Sequence, residues 1–200
     1  VPVRLRSISF AFLLCCPLPL GAQGAVWRID PNHSAAFFSV RHLMISTVRG
    51  QFSGISGTAN FDPQRPADSL VEATIDCRTL TTGVAKRDAQ MKGPDFFDVV
   101  RYQDMKFKSR SVQPAGLNKL RITGDLTINA VTREVVLEVD GPSPPVKDAQ
   151  GREKIGLSAA TNINRKDFGI IWNEILDSGG VAVADQVAIT LDIELIRDRR

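Results

Sequence analysis

Apolar and polar residues alternate with period two along most of the chain, which marks strands that bury one face and expose the other. Ile55, Gly57, Ala59 and Phe61 alternate with Ser56, Thr58, Asn60 and Asp62. Val71, Ala73, Ile75 and Cys77 stand against Glu72, Thr74, Asp76 and Arg78, and Leu120, Ile122, Gly124, Leu126 and Ile128 against Arg121, Thr123, Asp125, Thr127 and Asn129. The clearest run is the last, where Val187, Ile189, Leu191, Ile193 and Leu195 are set against Ala188, Thr190, Asp192 and Glu194. With Ala36-Phe38-Val40, Met105-Phe107, Val135-Leu137-Val139 and Ile155-Leu157-Ala159, the pattern predicts an all-β fold of about eight antiparallel strands. At that count a sheet can close on itself, which removes aggregation-prone edges.

One stretch breaks the rhythm. Thr82 to Met91 lacks alternation, is rich in helix formers and opens with a threonine able to cap, so it predicts a short helix crossing between strands. A tight loop at Gly93-Pro94-Asp95 follows, and Phe96-Phe97 after it are expected to pack against that helix. Asn129 to Arg133 and Pro63 to Pro66 read as turns, and Pro142, Pro144 and Pro145 as a loop within one domain.

The first residues follow another logic. Arg4 and Arg6, an apolar run from Ile8 to Leu14, two prolines and small residues near Gly24 have the order of a secretory signal peptide over residues 1–24. The remaining domain, 25–200, is expected in the periplasm. Its 23 basic and 22 acidic residues are nearly balanced, so the pI of about 8.9 owes much to the leader and nucleic acid is not an expected partner. Cys77 is the only cysteine of that domain, which leaves no internal disulfide, and its apolar-face position predicts a buried, inert thiol.

Catalytic chemistry finds little to work with. His33 and His42 are nine residues apart, on opposite faces of any single regular strand, so a metal site built on this pair is not expected. The acid pairs Asp95/Asp98 and Glu174/Asp177 read as solvated surface carboxylates, and no phosphate loop, serine elbow or dinucleotide fingerprint occurs. A non-enzymatic binding protein is the expectation. Small residues among the large ones on the apolar faces (Gly57, Ala59, Ala73, Gly124, Ala159) would leave an apolar hollow, unless they only fit the taper of a filled barrel.

Longer fragments carry a resemblance. Trp27 to Ser34, Phe38 to Leu43 and Gly50-Gln51-Phe52 resemble the opening of the YceI-like family of exported lipid-binding proteins. Thr82, Arg87-Asp88, Phe96 to Val99, Arg101-Tyr102, Phe107 to Ser109, Gly124 to Ile128, Val131 to Arg133 and Asn164 to Gly169 are similar to its later signatures. Ala130 stands where that family usually has a glycine, and Gln103 where it commonly has a proline. The resemblance implies a lipocalin-like antiparallel barrel with a helix across it and a pocket for a polyisoprenoid chain.

On that basis the ligand is an isoprenoid lipid, either an isoprenoid quinone or a polyprenyl phosphate, with no other cofactor. A membrane cytochrome b561-type partner and a homodimer are further implications. The apolar lining is expected to include Phe38, Val40, Phe52, Ile75, Phe107, Leu126, Ile128 and Leu157. His42, Arg87, Asp88, Arg165 and Asp167 are candidates for a polar mouth that selects the headgroup. A lipid-modifying enzyme acting inside the barrel, and a stress or adhesion protein with a filled barrel, are the alternatives.

Overall fold

The computed structural model describes residues 25–62, 64–175 and 180–198. The expected signal peptide, Pro63 and Asp177 lie outside the described residues. Eleven strands are described: β1 (Ala25–Ile29), β2 (Ala35–His42), β3 (Ser46–Phe52), β4 (Ile55–Phe61), β5 (Leu70–Asp76), β6 (Asp104–Gly116), β7 (Lys119–Ile128), β8 (Val131–Asp140), β9 (Val146–Lys147), β10 (Glu153–Asn164) and β11 (Val183–Arg197). One α-helix, α1 (Ala85–Lys92), lies between β5 and β6.

Eight strands, in the order β11-β1-β4-β5-β6-β7-β8-β10, form a closed antiparallel ring. The β10–β11 ladder closes it, with Lys154 opposite Ile196 at one end and Asn164 opposite Gln186 at the other. Three further strands, β2, β3 and β9, extend the ring; the alternation showed β2 but not β1, β3 or β9. On one edge of β11, β1 pairs near residues 195–197 and β2 pairs from Val183 to Asp192, so β1 and β2 act as one strand interrupted at residues 30–34. β3 and β4 are likewise one path broken at Ser53-Gly54. β9 is a two-residue edge addition to β10.

Burial follows the period. On β8 Val135, Leu137 and Val139 are buried while Glu134, Val136 and Glu138 are exposed, because successive side chains on a pleated strand point to opposite faces. Three apolar clusters follow one another along β11. Trp27, Ala59, Ile155 and Leu195 fill one end, Val112, Ile122, Leu137, Val139 and Ala159 the middle, and Phe52, Leu80, Phe96, Phe168 and Ile170 belong to the helix end.

Two local expectations change. The helix begins at Ala85 rather than Thr82, and its N-cap residue, Val84, makes no side-chain cap. Asp88 supplies the corner instead, accepting from the Thr82 backbone N–H at 2.7 Å and the Thr81 hydroxyl at 3.0 Å. The β7–β8 connection is only Asn129-Ala130, both at positive φ (49° and 61°), the geometry that matches the twist of a two-residue hairpin. Val131 to Arg133, expected in the turn, already belong to β8.

Candidate functional site

The barrel encloses a cavity of about 230 Å³, lined on β11 from Val183 to Leu195. At strand rise and barrel tilt that path runs on the order of 30 Å along the axis. All eight residues read from the apolar faces (Phe38, Val40, Phe52, Ile75, Phe107, Leu126, Ile128 and Leu157) line it. Seven of them lie on strands that the alternation shows, where parity sets their placement; Phe52 ends β3, which it does not show.

The polar candidates behave differently. Of His42, Arg87, Asp88, Arg165 and Asp167, only Arg165 borders the cavity. Arg87 donates from Nε to the Thr82 hydroxyl at 2.8 Å and from Nη2 to the Thr82 carbonyl at 3.1 Å, so with Asp88 it binds the corner that leads into α1. His42 ends β2 opposite Ser46, and Asp167 is exposed on the 3-10 turn after β10.

Arg165 is buried and its donors are spent on the chain. Nε donates to the Ala184 carbonyl at 3.0 Å, Nη1 to the carbonyls of Ile170 (2.8 Å) and Trp172 (2.7 Å), and Nη2 to the Val183 carbonyl (3.3 Å) and Asp185 (3.4 Å). Burial pulls its pKa below the usual guanidinium value, while Asp185 pulls the other way. It clamps both ends of the loop between β10 and β11, which leaves it no donor to offer a headgroup.

The interior is almost wholly hydrocarbon. Thr58 and Lys106 border it but alternate with inward residues and are exposed, so the polar side chains facing in are Thr161 and Arg165. No histidine or carboxylate is among the described lining residues.

Small residues create this space in two ways. Ala59, Ala73 and Ala159 line the cavity directly. Gly124 instead seats a ring: a β-carbon there would fall 2.5 Å from Phe107 Cζ and 2.6 Å from the Lys108 carbonyl oxygen.

Several lining residues were not legible as such. Phe96 and Phe97 sit in a turn rather than a strand, so both can face inward. Phe97 meets Phe52 edge-on at 5.4 Å between centroids, and Phe96 lies 5.3 Å from Trp172. Met91 on α1, Phe168 and Ile170 complete that end. Cys77 lies in a 3-10 turn rather than on β5; it is buried, and burial pushes its thiol up to about 11.

Residues 30–34 gather the main polar cluster away from the cavity lining. Asp30, buried at the break between β1 and β2, accepts from the Asn32 backbone N–H at 3.0 Å and lies 2.9 Å from His33 Nδ1 and 3.2 Å from Lys154 Nζ. Lys154 also reaches Glu194 at 2.5 Å. Asp30, His33 and Glu194 are close enough to hold a cation together, but the Lys154 ammonium already supplies the positive charge. Sequence spacing missed this group because only Asp30 and His33 are close in the chain; β10–β11 pairing brings Lys154 to Glu194 across 40 residues, and these meet Asp30 and His33 respectively at the break after β1.

Comparison with known proteins now decides the family. The model of the YceI-like domain matches residues 27–195. The chain belongs to the YceI-like family. A UPF0312 protein of Vibrio parahaemolyticus is 37% identical over 155 residues, covering 76% of this chain and 82% of that protein. The crystal structure of BcnA from Burkholderia cenocepacia aligns with a TM-score of 0.72 and 26% identity, over 83% of this chain and 98% of that one. A polyisoprenoid binding domain from Saccharophagus degradans aligns at 0.62 over 87% of this chain and 99% of its own length; at 13% identity it is a likeness of fold. This YceI-like chain therefore has a barrel that recurs across the family.

Proposed function

We propose that this YceI-like protein is an exported, periplasmic carrier that holds the prenyl chain of an isoprenoid lipid inside its barrel. The observation that carries this reading is the interior itself, a long hydrocarbon channel in which, among the described residues, the inward polar side chains are Thr161 and Arg165. An apolar pocket with few polar groups suits a hydrocarbon chain and gives a polar metabolite little to bind. Each methylene withdrawn from water contributes about 0.8 kcal/mol, so several isoprene units are held by burial alone, offset in part by the ordering of the chain.

The Saccharophagus neighbour, a polyisoprenoid binding domain, supports the ligand class. The order of charged, apolar and small residues over 1–24 supports export. Binding and carriage, rather than catalysis, fit a lining without histidine or carboxylate among the described residues.

Organic extraction of natively purified protein followed by mass spectrometry tests the proposal. Recovery of a prenyl quinone or polyprenyl phosphate in stoichiometric amount is the expected result. Extracts with no prenyl lipid, together with no uptake of added prenyl quinone, overturn it.

A further inference from the structure

A hairpin tip and a loop segment adjoin at the helix end of the barrel. The tip is the β2–β3 connection, where Leu43 and Met44 both take positive φ and Met44 and Ile45 are thrust into solvent, Ile45 at 79% exposure. The loop is the one clamped by Arg165, where Ile175 and Val181 form an isolated bridge and Ile175 is 84% exposed. Backbone bonds tie the two together: the Leu43 N–H donates to the Ala182 carbonyl at 2.8 Å, and the Ala182 N–H to the Glu174 carbonyl at 3.0 Å. Ile171, also exposed, lies on the same loop. Single exposed apolar residues are ordinary, but a group of them on an adjoining tip and loop marks a contact surface.

Position and charge say what that surface meets. Val40, Val183 and Ile170, directly behind these segments in sequence, line the cavity, so the patch is continuous with the hydrocarbon channel. Arg41 and Arg49 are diagonal neighbours on the outer face of the β2–β3 hairpin. Arg41 folds back on the tip, donating to the Met44 carbonyl at 2.6 Å and the Thr47 hydroxyl at 3.0 Å. Neither arginine has a carboxylate partner among the described residues, whereas Arg110, Lys119 and Arg121 on the barrel wall each do. At the start of β11 Asp185 is neutralised by Lys166 at 3.0 Å and by Arg165, and the described carboxylates exposed on the adjoining loop are Asp167 and Glu174.

An apolar tip flanked by unpaired cations is the arrangement that inserts among acyl chains while meeting lipid phosphates. We infer that this end of the barrel docks on an anionic phospholipid bilayer through Met44, Ile45, Ile171, Ile175, Arg41 and Arg49, placing the channel against the membrane from which its lipid is taken. The inference rests on the carrier reading of the cavity.

The test is flotation of the purified protein with vesicles of equal parts phosphatidylglycerol and phosphatidylcholine, and with phosphatidylcholine vesicles alone. The anionic vesicles are expected to retain the protein, and added salt to weaken retention. Ile45→Glu and, separately, Met44→Glu are exposed changes that leave the barrel intact by circular dichroism; each lowers retention about tenfold or more. Arg41→Gln and Arg49→Gln lower it about fivefold each. Equal retention of wild type and Ile45→Glu, or of wild type on the two vesicle types, overturns the inference. So does retention by native membranes but not by protein-free vesicles, which identifies a protein receptor. Extraction and uptake of added prenyl quinone on the same samples separate the two readings: prenyl lipid without vesicle binding overturns docking alone, and Ile45-dependent vesicle binding with neither extracted prenyl lipid nor uptake supports docking and overturns the cavity reading.

Discussion

The ring of Phe38 lies across Gly50 on the neighbouring strand, and a β-carbon built on Gly50 would stand 2.5 Å from Phe38 Cε1. Glycine here is a seat for a wall residue of the cavity. Gly50→Ala is expected to push the ring into the channel, costing about 1–3 kcal/mol of stability and lowering prenyl-ligand uptake. Urea denaturation and quantification of extracted lipid check both effects.

Ala159 is buried on β10 between Val139 and Leu191 in register, facing the cavity. Ala159→Trp places an indole where the chain is proposed to lie. Uptake of prenyl lipid should fall to background while the thermal transition persists, since part of the indole volume enters existing space. Unchanged uptake would show that the ligand does not pass this level of the barrel.

Arg165→Ala leaves the carbonyls of Ile170, Trp172, Val183 and Ala184 without their shared donor. Loss of about 3–5 kcal/mol is expected, as for a buried charged group whose partners are stranded. Hydrogen exchange should rise first in the loop between β10 and β11, because the guanidinium holds both of its ends.

Asp30 sets an acid limit to stability. Burial alone would raise its pKa, but His33, the Asn32 N–H and Lys154 outweigh it and hold the carboxyl at about 2, below the ordinary 3.8. A lowered folded-state value gives stability that is present above about pH 4 and is lost as pH falls through 2, amounting to about 2 kcal/mol. Asp30→Asn should remove that share of the slope in a denaturation series between pH 4 and pH 2.

Ala130 sits at φ 61° in the two-residue turn between β7 and β8, a left-handed conformation that an alanine β-carbon resists. Ala130→Gly relieves this against a greater loss of chain entropy, so a gain of about 0.5–1 kcal/mol is expected. Thermal and urea unfolding give the value.

Much of the barrel was legible because alternation is a local property. A strand with one dry face must place apolar residues at every second position, so Val187 to Leu195, or Leu120 to Ile128, declared both strand and inward face. The same parity put seven of the eight apolar candidates on the cavity lining, all but Phe52 on β3. β1 and β3 stayed hidden because each is half of an interrupted strand, too short or too polar to repeat the pattern. Phe96 and Phe97, expected against the helix, both reach the cavity because they sit in the turn after α1, where strand parity does not separate adjacent side chains.

The polar residues needed the fold. A charged side chain takes whichever partner tertiary packing brings within reach, and neither the partner nor the direction is encoded in a neighbour two positions away. Arg165, Arg87 and Asp88 had the chemistry to meet a headgroup, yet they hold backbone carbonyls, amides and threonines at two corners. Asp30, His33, Lys154 and Glu194 converge only because the β10–β11 ladder sets Lys154 and Glu194 beside the break after β1. The sequence by itself determined an all-β chain with one dry face. The tertiary structure decided that this face encloses an open channel, because whether inward side chains meet across a barrel depends on its closure and diameter, which period-two alternation does not specify.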